Sequence, residues 1–508
     1  MKKLINIAIA AASVVAMGSC KKFLNQPPLS QGETSNYYKS GKDMNAAIAG
    51  VYSALQTQML GDGTSKYGGN FNYWGEGRAD NFERSGYPNT TITELALNGL
   101  TTGNSATDWS GLYQVINRAN YCIKYFPRIP ALDNTVTPTV LANAMAQVYA
   151  VRALSYFYIV RLWGDPVVWT DPYEDISQPS ARPRTAAATV LDTVVIADLQ
   201  KAYGLITKNA TPNVYNVGEA AIAAMLADAY MWKKDYPNAV TWIGNVFKAK
   251  GPTGAVYTGT SGANLEPIST WKNLFVAPYA SVESIWSINW DQAYNGCACL
   301  PMGIAKSNSP VSVDSLFKAT WRVNTKIDQR LVKSIDTLAG NNHDNIVPKF
   351  YNIAGNAVPT GTGAPDAQQY NVYPVMYRLG DIYLLYAEAL NKLSDPTNAL
   401  KYLNYVRVRA GLPAYLATDP AVTGTANLEN AILDERHFEL FGEGKRWFDL
   451  VRTDHVKQVL DPILKIRQVR FGSPATGFDP GPNNGKYLWP LHRDVLTANK
   501  IISQNKDY

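Results

Sequence analysis

The chain has 508 residues, of which 46% are hydrophobic, 17% charged and 11% aromatic. This balance is typical of a globular protein with enough apolar side chains for a large core. The formal net charge is only +6 and no run of basic residues concentrates it, which argues against nucleic-acid binding. Taken together, the 31 tyrosines and 12 tryptophans far outnumber the 14 phenylalanines. Both residue types carry a polar group, so they suit half-exposed binding surfaces as well as cores.

The N-terminus has the pattern of a secretory signal peptide over residues 1–19. A positive start is followed by a short apolar stretch, residues 4–17, and then by Gly18-Ser19 directly before Cys20. The apolar stretch is too short for a membrane-spanning helix. A cysteine at the cleavage point is typical of a bacterial lipoprotein, which predicts Cys20 as the lipidated residue. Two or more acyl chains suffice for stable anchoring. The alternative is plain secretion with an incidental cysteine.

Helical patterns dominate two regions, about 43–250 and 375–450. In the first, apolar residues recur at helical spacing in five stretches: Asn45–Thr57, Trp109–Phe126, Ala144–Trp163, Thr189–Ile206 and Glu219–Trp232. The most apolar segment, residues 140–163, carries two arginines and two amides. Such groups are costly at the centre of a bilayer, so this segment is predicted to be a soluble helix.

Two helical hairpins share a pattern. Ala229 and Ala239 flank a turn that begins at an aspartate, and Ala389 and Ala399 do the same with equal spacing. Small residues at matched positions allow two helices to approach closely, and the pattern resembles the tetratricopeptide repeat. The alternative is two unrelated hairpins that share alanine.

A region rich in Gly, Pro, Asn and Thr, about 251–374, separates the helical blocks, and a loop insert of about 60–107 interrupts the first block. One clear strand, Ser284–Trp290, lies in the larger region. Loops of this length in a compact domain are usually functional. We therefore predict a mainly α fold, in which tetratricopeptide-like hairpins form a scaffold and a loop-rich irregular lobe contains a few short strands. Residues 20–508 are predicted to form a single domain.

The remaining cysteines, Cys122, Cys297 and Cys299, are odd in number and predict no disulfide framework. Cys122 falls on an amphipathic helical stretch and is predicted to be a small core residue. No second cysteine pair or nearby histidine completes a metal site around the other two. No cofactor is predicted, and the sequence does not determine whether a structural cation such as calcium is bound.

Several motifs along the chain resemble, in their order, the SusD/RagB family of Bacteroidetes outer-membrane lipoproteins. They are residues 23–27, 150–166, 378–389, 403–413, 432–436, 443–450, 487–490 and 504–508. The resemblance implies a non-enzymatic lipoprotein on the outward face of the outer membrane. It also implies that the protein binds an oligo- or polysaccharide and delivers it to a TonB-dependent SusC-like transporter. The sequence does not determine which glycan.

Candidate binding residues lie outside the shared motifs. A sugar presents flat C–H faces with hydroxyls at its rim, so aromatic rings beside amide or charged groups are suitable. The candidates are Tyr73, Trp74, Arg78, Asn81, Trp290, Tyr294 and Trp321. We predict that the three tryptophans among them share one exposed surface; alternatively, these aromatics hold long loops on the helices. A charged group within the motifs, comprising Glu435, Arg436, Arg446, Trp447 and Asp449, is predicted to be structural.

Two other functions remain open. A secreted glycoside hydrolase also displays aromatic platforms and requires two carboxylates across the scissile bond. No nucleophile elbow, P-loop or His-Glu-x-x-His helix occurs in the chain. A helical-repeat adaptor that binds protein instead of glycan is the third alternative.

Overall fold

The computed structural model of the protein describes residues 37–61, 70–86, 89–175, 177–291, 295, 311–324, 328–335, 347–350 and 373–508. The predicted mainly α fold is confirmed. The helices are α1 (Gly41–Leu60), α2 (Asn70–Glu76), α3 (Thr90–Ala96), α4 (Ser110–Tyr125), α5 (Pro138–Trp163), α6 (Ala187–Val190), α7 (Ala197–Leu205), α8 (Glu219–Trp232), α9 (Tyr236–Val246), α10 (Asn273–Val276), α11 (Ser315–Asn324), α12 (Leu331–Ser334), α13 (Leu379–Lys392), α14 (Pro396–Arg409), α15 (Thr425–Glu439), α16 (Arg446–Arg452), α17 (Val456–Arg470) and α18 (Arg493–Ala498). A π-helical stretch, Leu191–Ile196, joins α6 to α7. The short strands are β1 (Phe82–Arg84), β2 (Ser284–Ser287), β3 (Val311–Val313) and β4 (Val375–Arg378).

Helix α5 is at the centre of the scaffold. The Thr137 hydroxyl caps its N-terminus by accepting from Val140 N at 3.3 Å, and the helix ends at Gly164, where φ is +76°. Its side chains are buried without a break from Val148 to Trp163. Each of its two arginines pairs with a carboxylate of a neighbouring helix, Arg152 with Asp198 at 2.7 Å and Arg161 with Asp228 at 3.3 Å.

The helices form a continuous series around α5. Helix α1 packs on α4, α4 on α5, α5 on α7, α7 on α8, and α9 on α13. None of the helices in the described part of the chain combines the length and apolar character needed to cross a bilayer.

The two predicted hairpins, α8–α9 and α13–α14, have matching turns. Lys234 and Ser394 occupy the left-handed region, with φ of 62° and 64°. The next residue in each hairpin is an aspartate whose side chain caps the second helix. Asp235 accepts from the backbone N–H of Asn238 at 3.3 Å, and Asp395 accepts from that of Asn398 at 3.1 Å. The four matched alanines are fully buried. The two hairpins therefore share the turn, the helix cap and the buried alanines, in agreement with the pattern in the sequence.

The irregular lobe is joined to the scaffold by strand pairs. Strand β2 pairs antiparallel with β4, which leads directly into α13, and β1 pairs antiparallel with β3. The predicted strand at 284–290 is thus present over Ser284–Ser287. In the described part of the chain each sheet has two strands, so main-chain pairing there gives the lobe little support.

A buried charge network adds to the apolar contacts that support the lobe. Arg378 lies within 2.6 Å of Glu283, 2.5 Å of Glu439 and 2.8 Å of Glu443. Arg330 lies 2.8 Å from Asp328, 2.7 Å from Glu435 and 2.9 Å from Glu439. Both guanidinium groups are fully buried. The network therefore links the lobe, through residues 283, 328 and 330, to helix α15.

Lys349 and Arg409 are two further cations of this network. The Lys349 ammonium lies 2.6 Å from Glu443, and burial lowers its pKa to about 8. Although burial opposes it, the guanidinium groups of Arg409 and Arg378 hold the pKa of Glu439 well below its ordinary value. Lys349 and Glu439 are therefore charged at neutral pH.

The charged group predicted to be structural lies in the same interior. Arg436 pairs with Asp449 at 2.9 Å, and Arg446 pairs with Asp80 at 2.8 Å. Trp447 is fully buried, with the Arg78 guanidinium 4.2 Å from its ring centroid. These residues hold helices together, as predicted.

Removing the central cation should destabilise the protein strongly. Arg378→Met leaves Glu283 and Glu443 as buried, incompletely paired carboxylates, so we expect the free energy of unfolding to fall by about 3–5 kcal/mol. Chemical denaturation measures the change. The matched control is Lys234→Met, which removes an exposed pair with Asp454 and should cost no more than about 1 kcal/mol. Equal effects of the two substitutions would contradict the role of the network.

Candidate functional site

The three tryptophans predicted to share an exposed surface are buried. Their exposed fractions are 0% for Trp74, 1% for Trp290 and 0% for Trp321. The indole N–H of Trp74 donates to Ala106 O at 2.9 Å, and that of Trp321 donates to Asp328 at 3.2 Å. A sugar cannot stack on a ring with no exposed face. The prediction of a tryptophan surface is therefore wrong.

Arg78 and Asn81 are also buried rather than available to a ligand. The Arg78 guanidinium donates to Lys486 O at 2.7 Å and covers the Trp447 ring. The Asn81 amide donates to the buried carboxyl of Glu76 at 2.5 Å. Burial raises the pKa of Glu76 to about 8, so this pair is part of the interior. Tyr73 is half-buried and packs against the core.

A close backbone contact explains why this segment enters the core. Helix α2 crosses the chain at Gly444, and there is no room for a Cβ at Gly75. Gly444 itself has a φ of +70°, which favours glycine. The local sequence predicts a glycine-rich loop here. In the structure, these glycines instead allow helix α2 to pack closely against the distant segment around Gly444.

Two predicted residues lie outside the described part of the chain. They are Cys20, the predicted lipidation site, and Tyr294. Both stay predictions.

A cleft of about 370 Å³, which we call the tyrosine–amide cleft, lies between α1, the connection after α7 and the end of β2. Its walls combine aromatic rings with side-chain amides. The lining residues that carry those groups are Tyr52, Gln56, Asn213, Tyr215, Asn216, Trp286, Asn289 and Asn295.

One wall is a single face of helix α1. Ala49, Tyr52, Ser53 and Gln56 recur at helical spacing and line the cleft. The Tyr52 hydroxyl is fixed because it donates to Gln147 at 2.9 Å and accepts from Val217 N at 2.8 Å. Its ring therefore forms a rigid wall.

The opposite wall is a turn held against strand β2. The Asn213 side chain accepts from Tyr215 N at 3.0 Å, which closes the turn. Ser287 N then donates to Val214 O at 3.0 Å, and the Trp286 indole donates to Tyr215 O at 3.4 Å. The strand thus positions Tyr215 and exposes Asn213 at the mouth of the cleft.

Side-chain amides close the end of the cleft. The Asn295 side-chain amide donates to Gln56 Oε1 at 3.2 Å, and the Gln56 side-chain amide donates back to Asn295 Oδ1 at 3.4 Å. The Gln56 amide also donates to the backbone oxygen of Asn289. Asn289 itself is exposed. These amides can donate and accept at once, as sugar hydroxyls require.

Three tyrosines, which we call the tyrosine ledge, lie at the rim. The ring centroids of Tyr215 and Tyr373 are 5.4 Å apart at 33°, and the side chains are hydrogen-bonded. Tyr279 is 60% exposed and lies close enough to affect Tyr215 electrostatically. Burial, followed by the neighbouring Tyr373, raises the pKa of Tyr215 above its ordinary value. Tyr215 therefore keeps its proton at physiological pH.

The described lining of the cleft consists of neutral side chains. The described lining contains no ionisable acid or base other than tyrosine, so it supplies neither of the paired carboxylates that glycoside hydrolysis uses. Aromatic faces beside neutral donors and acceptors suit a neutral, hydroxyl-rich ligand.

The sequence contained a signal for this site that the tryptophan-based prediction missed. Asn213-Val214-Tyr215-Asn216 has an aromatic residue between amides in a loop, which is the same chemistry used to choose the earlier candidates. Asn289, which lines the cleft, lies directly beside the predicted Trp290, which is buried. The contribution of α1 could not be inferred, because Tyr52 and Gln56 look like ordinary helix residues.

Comparison with known proteins identifies relatives across most of the chain. Residues 269–508 match the family model described as the SusD family. Residues 22–231 match one described as "Starch-binding associating with outer membrane".

Individual relatives are similar over nearly their whole length. SusD-like protein P38 of Formosa agariphila is 27% identical, with all of both chains covered. A SusD superfamily protein of Bacteroides thetaiotaomicron has a TM-score of 0.67 at 25% identity and covers 92% of this chain and 99% of its own. A solved structure described as a laminarin-binding SusD-like protein has a TM-score of 0.68 at 20% identity, over 93% of this chain and 100% of its own. The last shows similarity of fold.

The burial of Trp74 predicts an effect on stability. Trp74→Ala should lower the free energy of unfolding by about 3–5 kcal/mol, because it leaves a large cavity against Trp163. Tyr279→Ala removes an exposed ring and should change the free energy by no more than about 0.5 kcal/mol. Denaturation of both variants measures the difference. A fully stable Trp74→Ala protein would contradict the buried placement.

Proposed function

The chain belongs to the SusD/RagB family, and from this we propose that it is a glycan-binding lipoprotein of the outer membrane. It binds a neutral oligo- or polysaccharide in the tyrosine–amide cleft, without chemical change. It then delivers the glycan to a TonB-dependent, SusC-like transporter.

The observation that carries this proposal is the composition of the cleft. Flat tyrosine faces lie beside five side-chain amides, and no charged group lines the described walls. A sugar ring that stacks on one tyrosine buries roughly 50 Å² of apolar surface, worth about 1 kcal/mol. Several such contacts with hydrogen bonds give about 4–6 kcal/mol, which corresponds to weak, reversible binding. Weak binding suits a protein that passes its ligand on.

The relatives support the same ligand class. One family model that matches this chain is described as starch-binding, and one structural neighbour as laminarin-binding. Starch and laminarin are neutral glucans, and a neutral cleft is compatible with either. The specific glycan depends on which hydroxyls the amides of the cleft recognise.

The cellular placement rests on the N-terminus and on the family. A lipid on Cys20 would tether the mature chain to the membrane. The matched family description includes association with the outer membrane. A tethered protein that binds its glycan weakly needs an acceptor for that glycan. The proposed SusC-like transporter is this acceptor.

Affinity electrophoresis tests the cleft. Gels would contain starch, laminarin, arabinoxylan, galactomannan, pectic galactan or xyloglucan. We expect at least one to retard the mature protein, Tyr215→Ala to weaken that binding about fivefold or more, and Asn289→Ala to weaken it by about threefold, since each removes one contact with the sugar. Tyr415→Ala, which removes a half-buried tyrosine outside the cleft, is the matched control.

Three results would contradict this part of the proposal. They are no retardation of the mature protein by any of the six polysaccharides, equal retardation of Tyr215→Ala and wild type, and release of reducing sugar by the purified protein.

The membrane tether has a separate test. Cys20→Ser should abolish incorporation of labelled palmitate and move the protein from the detergent phase to the aqueous phase of Triton X-114, because no acyl chain can be attached. The control is Cys122→Ser, a change at a buried core cysteine, which should leave both readouts unchanged. Labelling of the Cys20→Ser protein would refute lipidation at this residue.

A further inference from the structure

A second aromatic groove lies beside α4, around Trp169. Two adjoining cavities of about 260 Å³ each share Tyr113, Trp169 and Ser180 in their walls. None of these residues belongs to the tyrosine–amide cleft. We call this pair of cavities the Trp169 groove.

The backbone that carries Trp169 is fixed by two buried hydroxyls. Tyr156 donates to Trp169 O at 2.8 Å and accepts from Trp169 N at 2.7 Å. Tyr113 does the same for Val167, at 2.9 Å and 2.8 Å. Burial raises the pKa of both tyrosines above the ordinary value, so the hydroxyls keep the proton that these bonds need. The position of the indole is therefore set before any ligand arrives.

The indole itself is a prepared platform. The Arg182 guanidinium lies 3.7 Å from the Trp169 ring centroid, and the Tyr173 ring meets it nearly edge-on at 6.0 Å and 84°. Trp169 is half-buried and borders both cavities. A preorganised aromatic ring loses little conformational entropy when a ligand stacks on it.

The polar groups at the rim select the kind of ligand. Asn117 accepts from Tyr173 N at 3.2 Å through its carbonyl, which leaves its NH2 group without a partner among the described residues. The hydroxyls of Ser110 and Ser180 likewise have no hydrogen-bond partner among the described residues. A purely apolar ligand would leave these donors unsatisfied when it covered them, which is costly. A ligand with one flat apolar face and hydroxyls at its edge satisfies both the ring and the rim.

We propose that the Trp169 groove is a second carbohydrate subsite, which takes a neutral hexose ring stacked on Trp169. This inference rests on the proposed glycan-binding function. It adds that a long chain contacts the protein at two separate surfaces. Two weak contacts on one polymer raise the apparent affinity above that of either contact alone.

The test compares substitutions at both sites on the same six polysaccharide gels. Trp169→Ala should weaken binding of the most strongly retarding polysaccharide about fivefold, as expected for one lost stacking contact. Ser180→Trp fills the groove without removing a buried group and should weaken binding to a similar extent. The matched control is Trp242→Ala, a half-buried tryptophan that lines neither site, which should stay within about twofold of wild type.

The outcomes separate the two hypotheses. If Tyr215→Ala weakens binding while Trp169→Ala and Ser180→Trp both match wild type, the second subsite is refuted and the glycan-binding function stands. If no gel retards the wild-type protein, both are refuted. If Trp169→Ala and Ser180→Trp weaken binding and Trp242→Ala does not, the subsite is supported.

Discussion

Ion pairs withdrawn from solvent hold the irregular lobe on the helical scaffold, and the geometry of the binding cleft depends on them. Arg378 is central, because it binds Glu283 from the lobe and Glu439 from α15. Glu283 immediately precedes β2, the strand that supplies Trp286 to the cleft and leads to Asn289. The desolvation cost of buried charges makes any arrangement that breaks these pairs unfavourable. The network therefore fixes the lobe wall of the cleft relative to helix α1.

The scaffold could be predicted from the sequence because its determinants are local. The hairpins α8–α9 and α13–α14 follow from apolar spacing, small residues at the contact and an aspartate that caps the second helix. Strand β2 follows from β-branched and aromatic residues between turn residues. The role of the charged motif residues could be predicted as well, since Arg436 and Arg446 lie in buried ion pairs.

The binding site could be predicted only in part, because burial depends on contacts between distant segments. Nothing near Trp74 indicates that Gly75 packs against Gly444 and carries the indole into the core. Trp321 looks like a surface residue until the aromatic side chains of Phe438 and Phe441 cover it. Sequence indicates which segments have the chemistry of a binding site, and one of these segments contributes Asn289 to the candidate cleft. Which side chain of a segment faces outward is decided by the tertiary fold.

The neutral walls of the tyrosine–amide cleft have a consequence for where such a protein can work. Mobile ions screen contacts between exposed charges, but they have little effect on a tyrosine face stacked on C–H groups or on an amide bound to a hydroxyl. A receptor built from such contacts keeps its affinity from fresh water to brine. Selectivity at the described walls then derives from the stereochemistry of the sugar, because the residues described there carry no charge with which to distinguish one polymer from another.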